Sequence, residues 1–591
     1  MSRTIHHHLY LLAGGFLLLF SNGLFAQDQG AEEEKKIRFN GLGRTFLQNT
    51  EIGGEILNND STTVRSLTDG EFLLDLAVNA TPNDQTEVQT ILRLRNEFGG
   101  FFGAGVTVEV RELWAKGIIA NVLKYRVGDM DHAMTPYTLY LPEEEGMVNE
   151  PEIFRPQKEV IYYEQFYTEG NRRRLQGAKL DFGLAFGQGL REAEVSGFIA
   201  RIRGTDFFTT PSRFVGGGRI GLLSQNFGAS TRAKLGLNLI HTWDDLQSGE
   251  ANNGIRNLVY TADFDLRIFE KEDLALHLTG ETGQSSLEFK EDSLSVFDES
   301  DSFLEVGATL KLKKHGLDLS AGFVDVGPDF FSTGAQSKRI DFDREKTYYQ
   351  RIGNDRQLRM PTLFDLGRDR ALYTYQLSDR LMPYDPRYSN TQPYGQATPN
   401  RRGLRLGARY ASPKKGWDAR LDAGLMKEIR GQGTFELKDF LLVRALANLN
   451  FDQMAEWEKQ LRLTLGLQYE QTQRGGLPIE EVDLSSTLIE AGLQAELFTR
   501  FDLLLGLKFL TASGNDYIPL IEEFNDVKDF PEAYVVDDTE TLLGGGFRER
   551  GNDANDRRFI GINVFCHFFL SNVLNGLADC FIHCIDFGAQ A

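Results

Sequence analysis

Residues 461–470 place the tightest constraint on what this chain can become. Leu461, Leu463, Leu465, Leu467 and Tyr469 alternate with Arg462, Thr464, Gly466, Gln468 and Glu470. Beyond a polar stretch, Ile489, Ala491, Leu493, Ala495 and Leu497 alternate with Glu490, Gly492, Gln494 and Glu496. Leu503, Leu505, Leu507 and Phe509 then open a third run. Successive side chains of a strand point to opposite faces. Strict period-two alternation over about ten residues therefore specifies a strand with one apolar and one polar face. Soluble sheets alternate too, but their strands run nearer five or six residues. About ten residues is the length of a strand that crosses a bilayer.

The pattern recurs along the chain. Alternation and turn signals mark about twenty strands, roughly 37–47, 71–80, 86–98, 103–114, 118–128, 174–186, 193–204, 214–225, 230–243 and 257–269. They continue through 273–283, 302–313, 316–326, 401–411, 417–428, 439–450, 457–470, 486–498, 501–512 and 556–569. Tight turns fall at 81–84, 115–117, 270–272, 314–316 and 499–500. Between them lie longer connections at 48–70, 129–173, 244–256, 284–301, 327–400, 429–438, 471–485 and 513–555, with 99–100 the one short exception. Short turns on one side and long loops on the other are the layout of an antiparallel, up-and-down transmembrane β-barrel with periplasmic turns and extracellular loops. A β-sandwich or propeller carries no such asymmetry.

The ends and the composition agree. Arg3 precedes an apolar run over 9–20, and Leu24-Phe25-Ala26 stands before Gln27, which reads as a signal peptide over 1–26. That run is short for a membrane anchor, and no other apolar run is long enough for a spanning helix. A charged N-terminal tail, 27–36, precedes a barrel over 37–570, with an extension at 571–591. The tail is far too short for the plug domain that precedes the barrel in TonB-dependent transporters. At 591 residues with no Pro-, Ser- or Gly-rich linker, a large barrel keeps the chain one unit. Its 60 Gly relieve crowding in curved strands, and its 11% aromatic content supplies interfacial belts.

A formal charge of −21 argues against nucleic acid as a partner, because phosphate contact needs clustered Lys and Arg. Cys566, Cys580 and Cys584 all lie near the C-terminus, so no disulfide framework holds the fold. Cys580, His583 and Cys584 are too few and too close for a recognisable metal site; a disulfide or free thiols in the extension is the simpler reading. No metal or cofactor is expected. The extension itself has three fates open to it: folding into the lumen, meeting a periplasmic partner, or no role.

Parity assigns the faces. In 302–313, Leu304, Val306, Ala308, Leu310 and Leu312 face lipid, with Glu305, Gly307, Thr309 and Lys311 inside. In 257–269, Leu258, Tyr260, Ala262, Phe264 and Leu266 face out, and Asp263, Asp265 and Arg267 face in. In 401–411, Leu404, Leu406, Ala408 and Tyr410 face out, and Arg405 and Arg409 face in. Arg462, Glu490 and Glu496 join the lumen wall in the same way. A charge on the lipid side near the midplane costs roughly 2–4 kcal/mol, which fixes this assignment.

Two loops carry the candidate chemistry. The first includes Met134-Thr135-Pro136-Tyr137-Thr138-Leu139-Tyr140, acidic 143–145 and the run Arg172-Arg173-Arg174. The second, 327–400, sets Arg351, Arg356, Arg359, Arg368 and Arg370 among seven tyrosines, Tyr348, Tyr349, Tyr373, Tyr375, Tyr384, Tyr388 and Tyr394. Loops this long are uncommon unless functional or disordered, and the aromatic content argues against full disorder. Folded into the lumen, they form a constriction that selects solutes by charge and size. Packed over the mouth, they form a cap or a docking surface. Loop length alone does not separate these.

Catalytic sets are sparse. His241 lies near Asp244 and Asp245, where an Asp/His hydrolase is conceivable, but by parity it shares the outward face with Leu237, Leu239 and Trp243 and reads as a belt residue. No G-x-S-x-G elbow is present, and no enzyme is expected.

The stretch 125–186, with Arg126-Val127-Gly128-Asp129-Met130, Met134-Thr135-Pro136-Tyr137 and Arg173-Arg174-Leu175-Gln176-Gly177-Ala178, resembles large porin-like outer-membrane β-barrels. The resemblance covers the barrel as a type. It implies an outer-membrane location, contact with outer-membrane lipid and lipopolysaccharide, and assembly by the β-barrel insertion machinery. It carries over no substrate. Such barrels usually end on a closing strand with a terminal aromatic residue, whereas here 570–591 follows it. Two functions are therefore in view. One is a channel for small polar solutes through a charged lumen. The other is a non-conducting subunit of a secretion, assembly or surface complex that docks envelope proteins through its loops or tail.

Overall fold

The computed structural model describes residues 36–51, 66–98, 107–130, 132–139, 151, 175–187, 189–204, 211–227, 231–246, 254–291, 294–335, 391–392, 395–411, 416–431, 434–477, 481–498, 501–515, 559–570, 580–581 and 586–589. Twenty strands run in sequence. They are β1 Ile37–Glu51, β2 Ser66–Asn83, β3 Thr86–Phe98, β4 Thr107–Ile119, β5 Leu123–Met130, β6 Leu175–Ala185, β7 Leu190–Arg203, β8 Ser212–Ser224, β9 Arg232–Asp245 and β10 Gly254–Glu270. Then come β11 Leu274–Glu291, β12 Leu294–Leu312, β13 Leu317–Val326, β14 Arg401–Ala411, β15 Trp417–Lys427, β16 Asp439–Asn450, β17 Leu461–Arg474, β18 Val482–Phe498, β19 Phe501–Asn515 and β20 Phe559–Leu570. Each pairs antiparallel with the next, the meander of an up-and-down barrel.

Two short strands complete the sheet. β21, Cys580–Phe581, and β22, Asp586–Ala589, pair with β20 and lie against β1. The described part of the C-terminal extension thus sits at the seam between the last long strand and the first, in the wall and not in the lumen.

Alternation becomes two faces, as parity requires. Leu239 is 47% exposed, while its neighbours Asn238 and Ile240 are 3% and 2% exposed. Leu404, Leu406, Leu421, Leu425, Leu465, Leu467 and Ile489 are likewise exposed on the outside. In a soluble protein such a contiguous apolar surface would be an aggregation hazard; around a barrel it is the lipid-facing band. Aromatic rings edge the band. Phe214, Trp243 and His241 stack at the loop end of β8–β9, with centroids 5.6 Å and 4.8 Å apart along the stack. Tyr410 and Trp417 meet at 4.5 Å at the turn end of β14–β15. No helix among the described residues is long and apolar enough to cross a membrane. A single turn of helix, α1 Phe451–Ala455, connects β16 to β17.

Several boundaries move from their sequence-based positions. The turn expected at 115–117 lies at 120–122, closed by the Val122 N–H donating to Ile119 O at 3.1 Å. Ala120 and Asn121 both have positive φ, 52° and 58°, as a type I′ hairpin demands. Ala-Asn is a poor signature for that turn, so Gly117 drew the assignment instead. Gly117 is a strand residue directly opposite Tyr125, and a Cβ there would strike the tyrosine ring. The connection expected at 284–301 is mostly strand, since β11 and β12 continue to Glu291 and from Leu294. Polar residues populate both faces of that hairpin, so alternation fades there while the ladder persists. The 471–485 connection shortens in the same way, with β17 running to Arg474 and β18 starting at Val482, and the short connection expected at 99–100 lies outside the described residues.

Candidate functional site

The site begins where β5 stops early. β5 has 8 residues, against 13 in β4 and 11 in β6. Gly128 has φ +100°, and a Cβ there would run into Leu113 O, so only glycine fits. Gly128 stands opposite Trp114, and three residues earlier in β4 the β3–β4 register slips between Ile91 and Leu92, the mark of a bulge at Arg111. The Asp129 carboxylate then accepts the Leu113 N–H at 2.6 Å, and Arg126 Nε donates to Asp129 O at 2.8 Å. Arg126 also lies 4.8 Å over the Trp114 ring. Bulge, glycine and carboxylate together bend the chain off the wall and into the barrel.

The inturned segment, 132–139, closes on itself. Thr138 N–H donates to Thr135 O at 3.1 Å around Pro136, and Met134 N–H to Leu139 O at 2.7 Å. Pro136 pre-sets the φ such a turn needs. At the tip, the Thr135 hydroxyl donates to Glu281 Oε1 at 2.6 Å, and the Tyr137 hydroxyl donates to the Glu305 carboxylate. Arg405 NH1 reaches the same carboxylate at 3.1 Å. The Tyr137 ring stacks on Phe303 at 3.8 Å, with Phe330 edge-on to both. His132, buried against Phe198 at 4.6 Å, is held near 4 by burial first and by Lys179 second, against a smaller opposing effect of Asp181.

Parts of the second loop enter from the other side. In 327–335, Phe331 N–H donates to Ser285 Oγ and Thr333 N–H to Asn257 Oδ1, both at 3.0 Å; Asn257 Nδ2 donates to Phe331 O at 3.0 Å. Ser332 Oγ donates to Thr138 O at 3.2 Å, joining the two loops. Asp329 pairs with Arg430 at 2.6 Å, and the Asn400 amide bridges to 429–430. Arg401 lies 3.7 Å over Phe440 and donates to Thr391 O. Around these segments the inward side chains are apolar: Phe198, Ala200, Val215, Ile240, Val259, Val324, Val326, Met426 and Phe440 form one dry core with Met130, Tyr137, Leu139 and Phe330. The loop end of the barrel is packed; its remaining wall is polar.

Below that core the wall is a lattice of charge pairs. Arg219 grips Asp263 through both nitrogens, at 2.6 and 2.7 Å, and Asn238 adds a bond to the same carboxylate at 2.8 Å. Arg420 binds Asp422 at 2.6 Å, Arg444 binds Gln468 at 2.8 Å, and Arg462 binds Asn450 at 2.8 Å. Asp265 and Arg409 reach into the lumen as exposed groups, Lys311 is half-buried, and Glu490 is buried on the inner face. Arg267 binds Glu270, and Glu496 accepts the Gln460 N–H at 3.4 Å. Of the lumen candidates named from sequence, Asp263, Glu305 and Arg405 take part in the networks nearest the inturned segment. Arg351, Arg356, Arg359, Arg368 and Arg370 lie outside the described residues, as do residues 141–150 and 336–390.

Sequence reasoning missed Arg219, Glu281 and the Asp75–Arg93–Arg111 cluster, in which Asp75 binds both arginines at 2.6 Å. Inward parity would have found each of them had it been applied to every strand. It also missed the ion pair of Arg213 with Asp244, buried on both sides. Asp244 is engaged with Arg213 and the Ile255 N–H on the inner face, while His241 stacks with Trp243 on the outer.

Strand order, outward band and charged lumen define a large porin-like β-barrel of the outer-membrane type. No family model matches the chain, and no curated protein matches it. Among solved structures it is similar to Wzi of Escherichia coli, described as an outer-membrane protein involved in group 1 capsule assembly and a carbohydrate-binding β-barrel. That match has 12% identity and a TM-score of 0.34, over 81% of this chain and 82% of that one. It is also similar to OccK2 (OpdF) of Pseudomonas aeruginosa, at 10% identity and TM-score 0.37, over 80% and 100%. The outer membrane protein OprD of Pseudomonas aeruginosa matches at 11% and 0.34, over 78% and 87%. Values this low describe a likeness; the class rests on the strands and their faces.

Proposed function

We propose that this chain is an outer-membrane channel for small polar solutes, exported with removal of 1–26, whose extracellular mouth is narrowed by the segment 132–139. The observation that carries this reading is the polar tip of that segment. Thr135 and Tyr137 hold the lumen through hydroxyl-to-carboxylate bonds to Glu281 and Glu305. These bonds fix the segment across the lumen, so the width of the mouth is set by side chains that also offer hydroxyl and carboxylate groups to a solute. Charged and amide side chains line the lower wall, where a hydrated solute finds donors and acceptors of both signs. The outer band faces lipid and lipopolysaccharide, and the barrel enters the membrane through the insertion machinery. The long connections are available to other envelope proteins. We assign no enzymatic step and no cofactor.

Planar-bilayer recording tests this. Discrete conductance steps are expected from the purified barrel, with larger or more frequent openings for Tyr137→Phe and for deletion of 133–138. Absence of steps from all three proteins would end the channel reading. A second reading has its own support, since the dry core at the loop end is the packing expected of a sealed barrel that serves as a non-conducting docking subunit. Silent bilayers together with a partner co-purifying in fixed stoichiometry would favour it.

A further inference from the structure

We propose that the turn end of the lumen carries an oxyanion subsite, in which Arg232, Arg267 and His277 receive the carboxylate or phosphate of a small solute. The three residues stand directly opposite one another on β9, β10 and β11. Their parity is inward, because Leu235 and Leu237 on β9 are exposed on the lipid side. Direct cross-strand neighbours have Cβ atoms about 5 Å apart, and like charges so placed repel. A wall that sets two guanidiniums and an imidazole side by side needs an anion in front of them.

The protein supplies only part of one. The register shift between Arg267 and Phe269 turns Glu270 to the lumen face, where it binds Arg267 and also Lys313 at 2.8 Å. One carboxylate is thus divided between two cations, and neither of them is Arg232. Lys234 stands opposite Asp265, balancing that pair. Arg232 Nε and His277 Nε2 are withdrawn from solvent and have no hydrogen-bond partner among the described residues. Buried polar atoms are nearly always satisfied, so two such atoms on the strands that flank β10, either side of Arg267, point to a shared acceptor. In a chain of net charge −21, this local excess of donors is against the trend.

The ligand's chemistry follows from the donors. Arginine offers N–H groups in a planar fork and accepts nothing, a geometry that fits carboxylate and phosphate oxygens. A neutral hydroxyl would compensate none of the local positive charge, and a cation would be repelled. The subsite rests on the channel reading for the route by which a solute arrives, and not for binding.

Calorimetric titration of the purified full-length barrel in detergent with inorganic phosphate, and separately with acetate, tests the proposal. Saturable binding of at least one anion is expected, weakened about tenfold or more in Arg232→Gln and in His277→Gln, as loss of a charge-assisted or buried bond implies. Arg232→Lys should retain part of the affinity, and Lys459→Gln, which removes a charge from the exposed turn after α1, should bind as wild type. Heat-modifiable gel migration confirms that each variant is folded. No saturable binding in wild type, or equal binding in wild type and Arg232→Gln, overturns the subsite. Bilayer recording of the same samples separates the two claims. Binding without conductance keeps the subsite and removes the channel; conductance with binding indifferent to the substitutions does the reverse.

Discussion

Tyr137 joins the two halves of the lumen. Its ring lies in the dry core on Phe303, while its hydroxyl meets Glu305 at the top of the polar wall. Tyr137→Phe keeps the stack and removes the bond. The change should destabilise the seat of 132–139 by about 1–3 kcal/mol, the range for losing a hydrogen bond to a charged group, read as faster amide exchange confined to that segment. His132 gives a pH-dependent companion. Burial holds it neutral with a folded-state value near 4, below its ordinary 6.5. Its contribution is therefore complete above pH 6.5 and is lost as pH falls towards 4. Exchange protection of 132–139, corrected for intrinsic rates, should drop by a few kcal/mol at most over that window. His132→Phe, which retains the ring contact with Phe198, should flatten the profile. The buried pair of Arg213 and Asp244 makes a stability prediction. Asp244→Asn removes the countercharge of a buried guanidinium and should cost about 3–5 kcal/mol in unfolding experiments.

At the scale of elements, connections were less legible than strands. Runs such as 461–470 and 302–313 could be read directly, because each residue's face follows from its parity alone. The hairpin at 120–121 could not, because Ala120 occupies a left-handed position that its type seldom adopts. Replacing Ala120-Asn121 with Asn-Gly should relieve that strain and stabilise the β4–β5 hairpin by about 1 kcal/mol, seen as a higher Tm. The β11–β12 hairpin was shortened in the sequence reading because polar residues on both faces erase alternation without ending the ladder. Among the strand candidates, Asp263, Glu305 and Arg405 hold charged or hydroxyl partners on neighbouring strands and on the inturned segment. What parity does not give is a partner's identity, and so Arg219 and Glu281 entered only with the register.

At the scale of the whole molecule, the barrel obeys two solvents. Leu406 points to lipid at the centre of β14, and its neighbour Arg405 points to the lumen and binds Glu305. Leu406→Arg should lower stability in the bilayer by about 2–4 kcal/mol, measured by reversible unfolding in lipid. Arg405→Leu should instead loosen the inturned segment while insertion proceeds. The two substitutions sit one residue apart and should fail in different assays.

The sequence alone determined the strands, their faces and the sidedness of their connections, because these follow from local periodicity and from the cost of charge in lipid. Tertiary structure alone decided what fills the barrel. The bend at Gly128 depends on a bulge in a neighbouring strand, and Thr135 finds Glu281 from 146 residues away. Contacts of that range arise only once the sheet has curved and brought β5, β11, β12 and β14 around a common axis.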